Sequence, residues 1–284
     1  MAGVSMKDIK LRIRSMESTK QITKAMEMVA ASKLRHAQER VQQSRPYFEV
    51  LYQAVSDIAA SNREFSSPYV QPVQGGKLCQ IVISGDRGLA GGYNHNILKL
   101  AEADRAGRDC IMVPIGKKSM EYCASRGLPL LTGAYAEAAE LSVSGCFTMA
   151  RSLCKAFLAG EFSEIHLAYT NFASMLVQTP CVIPLLPLPM PEKPSESQPA
   201  RQMTLYEPGD EAVFHSIIPE YLGGLLYGAL CESVASELGA RRTAMDAATK
   251  NAQDMIDDLS LKYNRARQGA ITQEITEIVA GADA

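Results

Sequence analysis

LGARRTAMDAATKNAQDMIDDL (238–259) places Leu238, Arg241, Met245, Ala248, Ala252, Met255 and Leu259 at alternating steps of three and four residues. Such a narrow, sustained stripe is the seam of a coiled coil, whereas an ordinary surface helix shows a wider apolar face. Alanine and methionine fill its middle, which permits close helix approach at modest stability. Working outward, the helical pattern extends back to Asp210, an N-cap candidate after Pro208-Gly209, and forward to about Ala280. Pro219 is expected to kink its early part, and Gly269 is a weak point. At ~1.5 Å per residue, about 70 residues reach roughly 105 Å.

The other end of the chain carries a matching pattern from about Met6 to Ile58. Ile9, Ile13 and Met16, then Ile22, Met26 and Val29, keep the same spacing with an expected phase shift near Lys20. Leu34, Ala37, Val41, Phe48, Leu51, Val55 and Ile58 continue it, with Ser44 filling one step and Pro46 expected to kink or break the helix. About 53 residues at ~1.5 Å give roughly 80 Å, so the C-terminal helix outreaches its partner and ends in a single unpaired tip. Residues 1–60 hold 10 Lys+Arg against 6 Asp+Glu, and residues 207–284 hold 6 against 13. That asymmetry suits the two helices to each other, although each charged face could equally sit in water.

Between the helices the period changes. LCQIVI (78–83) ends in the glycine-rich turn SGDRGLAGGYN (84–94) and a helical NILKLAEADRA. CIMVPIG (110–116) leads into KKSMEYCASRG, with Gly127 suited to a helix C-terminus. SVSGCFTMARSLCKAFLAG (142–160) is an amphipathic helix and EIHLAYT (164–170) a strand. This alternation predicts an open, doubly wound, largely parallel sheet. PLLPLPMPEKPSESQPA (184–200) reads as an exposed connector.

The fold class is therefore α/β: a long antiparallel coiled coil of N- and C-terminal helices plus a Rossmann-like open sheet domain. Its expected divisions are an N-terminal helix over 1–60, the α/β domain over 75–190, a connector over 191–209 and a C-terminal helix over 210–284. The net charge of −2 argues against nucleic-acid binding. No apolar run is long enough to span a bilayer, and the mixed charges at Lys7, Asp8, Lys10 and Arg12 fit neither a signal nor a transit peptide. Seven cysteines without a C-x-x-C pair read as reduced core residues, and the four histidines lack metal-ligand spacing. Neither a metal nor a cofactor is expected.

The glycine turn is the one enzyme-like feature. Gly85, Gly88, Gly91 and Gly92 fit neither G-x-G-x-x-G nor a Gly-Lys-Ser/Thr phosphate loop, so a tight strand-to-helix turn is the better reading. A nucleotide-binding enzyme with coiled-coil arms is the competing possibility, and a static coiled-coil tether a third.

IKLRIRSMESTKQITKAMEMVAASKL (9–34), SGDRGLAGGYN (84–94), YGALCESVASELGARRTAMDAATKNAQDMI (227–256) and LKYNRARQGAITQEITEIVAGADA (261–284) together closely resemble the gamma subunits of F-type ATP synthases, over almost the whole chain. The resemblance implies a central rotor shaft without a catalytic site of its own, present in one copy per complex. Its implied partners are the hexamer of alpha and beta subunits, the epsilon subunit and the membrane c-ring. It implies subunit-contact or coupling roles for Met26, Arg241, Gln268, Thr272 and Glu274, with Lys24 and Arg265 on the same surfaces. Arg242 stands where the family usually carries Met. The closely spaced cysteine pair of chloroplast relatives is absent, so thiol regulation is not expected. The implied setting is a bacterial cell membrane, with this chain peripheral on the cytoplasmic side.

Overall fold

In the computed structural model the elements run α1 (Met6–Ser61), β1 (Lys77–Ile83), α2 (Tyr93–Arg105), β2 (Cys110–Ile115), α3 (Lys117–Arg126), α4 (Val143–Leu158), β3 (Phe162–Phe172), β4 (Gln178–Leu186) and α5 (Asp210–Ala282). The structure describes residues 5–61, 67–71, 75–132, 136–188, 207 and 209–282, with side chains at all of these except 45, 48, 59–61 and 282. The expected connector over 191–209 falls outside the described residues apart from Glu207 and Gly209, and the seam position expected at Phe48 concerns a side chain that is not among those described. The chain forms two compact units. One takes the chain up to Ser32 and from Arg241 onward; the other is Lys33–Ala240.

In the Lys33–Ala240 unit the sheet order is β2-β1-β3-β4. β1 pairs in parallel with both β2 and β3, and β4 returns antiparallel to β3. Alternation along β1 sends Leu78 and Val82 to one face and Cys79, Ile81 and Ile83 to the other. The first face is covered by α2 and α3 through Ile97, Ala101 and Cys123. The second is covered by α4 through Cys146, Ala150, Leu153 and Phe157, joined by Val55 and Ile58 of α1 and Phe214, Ile218 and Leu222 of α5. The inner ends of both long helices are thus part of the sheet's cover.

β4 corrects the expectation that a connector begins at residue 184, because Pro184, Leu185 and Leu186 belong to the strand. Proline is tolerated there because β4 is an edge. Pro180 and Pro184 stand opposite Thr170 and His166, positions whose amides turn away from β3, so no ladder bond is lost. The same prolines remove donors from the free edge and discourage pairing with another chain.

The helix ends follow local chemistry. Ser5 Oγ accepts from Lys7 N at the start of α1, and Ser142 Oγ accepts from Gly145 N at the start of α4. Gly127 ends α3 at φ 61° in the left-handed region, as its sequence position suggests. At the start of α5 the cap differs from expectation: Val213 N donates to Gly209 O. Gly209 therefore closes the first turn, and Asp210 lies within it beside Glu211, where carboxylates favour the helix dipole. α1 continues through Pro46 and α5 through Pro219 without a break.

α1 and α5 run antiparallel in each unit. In the first, Lys20 bonds Gln253 and Thr23 bonds Thr249. In the second, Tyr52 lies against Tyr221, and Leu34, Ala37 and Val41 share a cluster with Leu238, Ala235 and Cys231. The seam of α1 has no phase shift. In the first unit Ile9, Ile13, Met16, Lys20, Thr23 and Ala30 are buried or half-buried on one heptad spacing that passes through Lys20; in the second, Leu34, Ala37 and Val41 are buried at steps of three and four. Ile22 and Val29, expected in the seam, are 58% and 57% exposed. An apolar-only count steps over Lys20 and Thr23, but the Lys20 stem packs while its amine finds Gln253. On α5 the expected Met255 is 51% exposed, and the seam passes through its neighbour Ile256 before Leu259, Tyr263 and Ala266. Spacing alone could not choose between two adjacent apolar residues.

Candidate functional site: the helix tip and the strand-end socket

Because α1 begins at Met6 and the pairing places Lys20 beside Gln253, α1 runs out opposite the region of Ala266. The last ~16 residues of α5, some 24 Å, extend as a single helix. From Ile271 to Gly281 every side chain is exposed, including Ile271, Ile275, Ile278 and Val279.

The candidate coupling residues all lie in the unit that contains this tip. Lys24 is exposed and pairs with Glu27 at 2.7 Å. Its charge also reaches α5: the Lys250 hydrogen bond first, then Lys24 and Arg242, hold the Asp246 carboxyl below the usual carboxylate range. Met26 and Arg241 are half-buried along the paired stretch, and Arg265, Gln268, Thr272 and Glu274 are exposed. Thr272 Oγ1 donates to Gln268 O at 2.9 Å, and Thr276 Oγ1 donates to Thr272 O at 2.8 Å. The Thr272 hydroxyl is turned onto its own helix, leaving its methyl and the Gln268 amide for an outside surface. The seven residues do not converge on one point; Lys24 and Met26 lie on α1, and the last four occupy the outer end of α5.

A second arrangement was not anticipated. At the C-terminal ends of the parallel strands, where open α/β sheets place ligands, the chain's own groups occupy the space. Asp86 of the glycine turn accepts at Oδ1 from Lys117 N (3.0 Å) and Ala138 N (3.3 Å), and at Oδ2 from Ala139 N (3.4 Å). Those amides, one at the start of α3, are the kind that would hold an anion. Gly85 N donates to Asn94 Oδ1 at 2.8 Å. α5 closes the other side. Thr170 N donates to Ser233 Oγ (3.2 Å) and Ser236 Oγ donates to Thr170 O (3.3 Å). Glu237 lies so close over Gly85 that a Cβ there would meet its Cδ at 2.7 Å. Burial, and secondarily the Glu237 carboxylate, push the neighbouring Tyr93 phenol up. The sequence signal was available in Ser233, Ser236 and Glu237, which share one helix face at i, i+3 and i+4.

The seven cysteines are free; six are buried and Cys181 is half-buried. Burial pushes Cys79, Cys146 and Cys154 up to about 12 and Cys123 to about 11. Among the described residues no helix is long and apolar enough to cross a membrane.

The ATP synthase family profile matches residues 5–284. The chain is 45% identical over 279 residues to the ATP synthase gamma chain of Ruminococcus albus, covering 96% of each chain. It is 43% identical over 288 residues to that of Lachnoclostridium phytofermentans, covering 99% of each. Its fold is similar to a chain of the Euglena gracilis mitochondrial ATP synthase (OSCP/F1/c-ring, rotational state 3), with a TM-score of 0.68 at 16% identity over 98% of this chain and 94% of that one. A chain of the Tetrahymena thermophila mitochondrial ATP synthase (central stalk/c-ring) gives 0.61 at 19% identity, over 80% of this chain and 99% of that one. Relatives matched from end to end at more than 40% identity, and a family profile that spans residues 5–284, have one meaning: the chain belongs to the ATP synthase gamma-chain family.

Proposed function

We propose that this chain is the central rotor shaft of a proton- or sodium-translocating F-type ATP synthase, one copy per complex. It transmits torque between the membrane c-ring and the catalytic hexamer of alpha and beta subunits, with the epsilon subunit beside its α/β domain. The observation that carries the reading is the outer end of α5, a long exposed stretch bearing Ile271, Ile275, Ile278 and Val279 with no other helix alongside among the described residues. One asymmetric rod among three catalytic pairs presents a different face to each. Differential contacts shift the populations of their conformations, so rotation drives the three sites in turn through binding, synthesis and release of ATP. Met26, Arg241, Gln268, Thr272 and Glu274 make the coupling contacts, with Lys24 and Arg265 on the same surfaces. On this reading the chain carries no catalytic site of its own, a view supported by Asp86 and Glu237 lying at the strand ends where a nucleotide would otherwise approach the glycine turn. The complex sits at the bacterial cell membrane, with this chain peripheral on the cytoplasmic side.

The test is truncation after Gln268 in complex reconstituted into vesicles. Ion-driven ATP synthesis falls sharply, while the shortened chain still assembles, because the side chains from Ile271 to Gly281 are exposed. Synthesis at the full rate would refute a coupling role for the tip. Met26→Lys puts a charge on the paired stretch and lowers ion pumping per ATP hydrolysed; an unchanged ratio removes Met26 from the coupling contacts.

A further inference from the structure

Resting on the shaft reading, we propose that the face of α5 formed by Ser233, Ser236 and Glu237 is the torque-bearing joint between shaft and α/β domain, with Glu237 over Gly85 as its positioning contact. β1 pairs with β3 only as far as Val82 opposite Ala168, so Thr170 of β3 lies beyond the end of its parallel neighbour. On its other side Thr170 stands opposite Pro180, which has no N–H to give, so the Thr170 amide and carbonyl both face the gap that β1 leaves. Buried main-chain groups left unmatched are costly. Ser233 and Ser236, 1% and 0% exposed, supply one acceptor and one donor to them. A helix thereby takes the place of a strand, and its attachment has direction, because each serine is matched to one group of a single residue.

Glu237 adds a steric stop one step along the same face. The carboxylate lies against the glycine Cα, where a Cβ would meet it at 2.7 Å, and the turn is tied back: Lys118 N donates to Gly85 O at 3.1 Å, and Asp86 binds the start of α3. Rotation of α5 about its own axis would drive Glu237 into Gly85 or pull the serines from Thr170. Apolar packing elsewhere on α5 is non-directional and resists such rotation less. Filling the crevice and gripping the shaft are, on this proposal, one function of the glycine-rich turn.

The experiment uses the complete complex in vesicles and reads ATP hydrolysis and ion pumping together. Gly85 has no left-handed φ, so Gly85→Ala is opposed by its neighbours and not by the backbone. Gly85→Ala leaves hydrolysis near wild type and lowers pumping per ATP hydrolysed by about fivefold or more; in a Glu237→Ala background, adding Gly85→Ala changes that ratio less than about twofold. Ser233→Ala with Ser236→Ala lowers the same ratio without touching Gly85. A merely structural contact would lower hydrolysis and pumping together as assembled complex is lost, and that result overturns the joint. So does Gly85→Ala acting equally in both backgrounds, or not at all. A complex assembled without this chain separates the two ideas: if it pumps ions, the shaft reading fails, whereas normal pumping by the variants beside an inert chain-less complex removes only the joint.

Discussion

Leu34→Ala and Ile22→Ala delete comparable apolar side chains from the same helix, yet the structure assigns them very different costs. Leu34 is 2% exposed and faces a cluster of Cys231, Ala235 and Leu238. Two of those three are small and cannot swing in to refill the space, and Ser233 and Ser236 hold α5 in place against Thr170 of β3. Transfer of the leucine side chain accounts for about 2–3 kcal/mol, and the unfilled cavity brings the total to roughly 3–4 kcal/mol. For a unit of this size, each kcal/mol moves the midpoint by about 2–4 °C, so Leu34→Ala lowers the main thermal transition by roughly 6–16 °C. Ile22 is more than half exposed and its loss costs under about 0.5 kcal/mol. Circular dichroism of the full-length chain during heating measures both. A shift under about 2 °C for Leu34→Ala, or equal shifts for the two variants, would refute the seam assignment.

The polar layer gives a second prediction: Lys20→Leu with Gln253→Leu raises thermal stability by about 1 kcal/mol, whereas Lys20→Leu alone does not, because Gln253 then loses its donor; equal effects in chemical denaturation would contradict this. Replacing Pro180 and Pro184 by Val restores two outward amides on the β4 edge and produces concentration-dependent self-association in size-exclusion chromatography; a strictly monomeric variant would show that something else protects the edge. Alkali provides the fourth. Cys79, Cys146 and Cys154 ionise at about 12 when folded against a reference of 9.0, so the unfolded chain releases protons first. Stability contributed by these thiols is intact below pH 9 and is lost as pH climbs toward 12. Cys79→Ala flattens that decline in denaturant titrations at successive pH values, and an unaltered slope would count against it.

Composition and periodicity decided much of this molecule. Heptad spacing at both ends indicated two long helices, their length difference the overhang of α5, and strand–helix alternation a largely parallel open sheet with Gly127 at a helix end. These are properties of neighbours along the chain, where side-chain direction follows from backbone geometry. Choices that depend on a facing surface were not available there. Met255 and Ile256 are equivalent until a partner helix lies on one side of α5. Lys20 looks like a break in the seam until Gln253 is opposite it. Pro184 looks like a connector until an edge strand is found to have amides with nowhere to go. Likewise the glycine turn was legible as a turn, but only the fold brought Ser233, Ser236 and Glu237, more than 130 residues away along the chain, to the ends of its strands. Local sequence sets the periods; long-range packing decides which of several permitted faces is buried, because that choice is made by the groups that arrive from elsewhere to cover it.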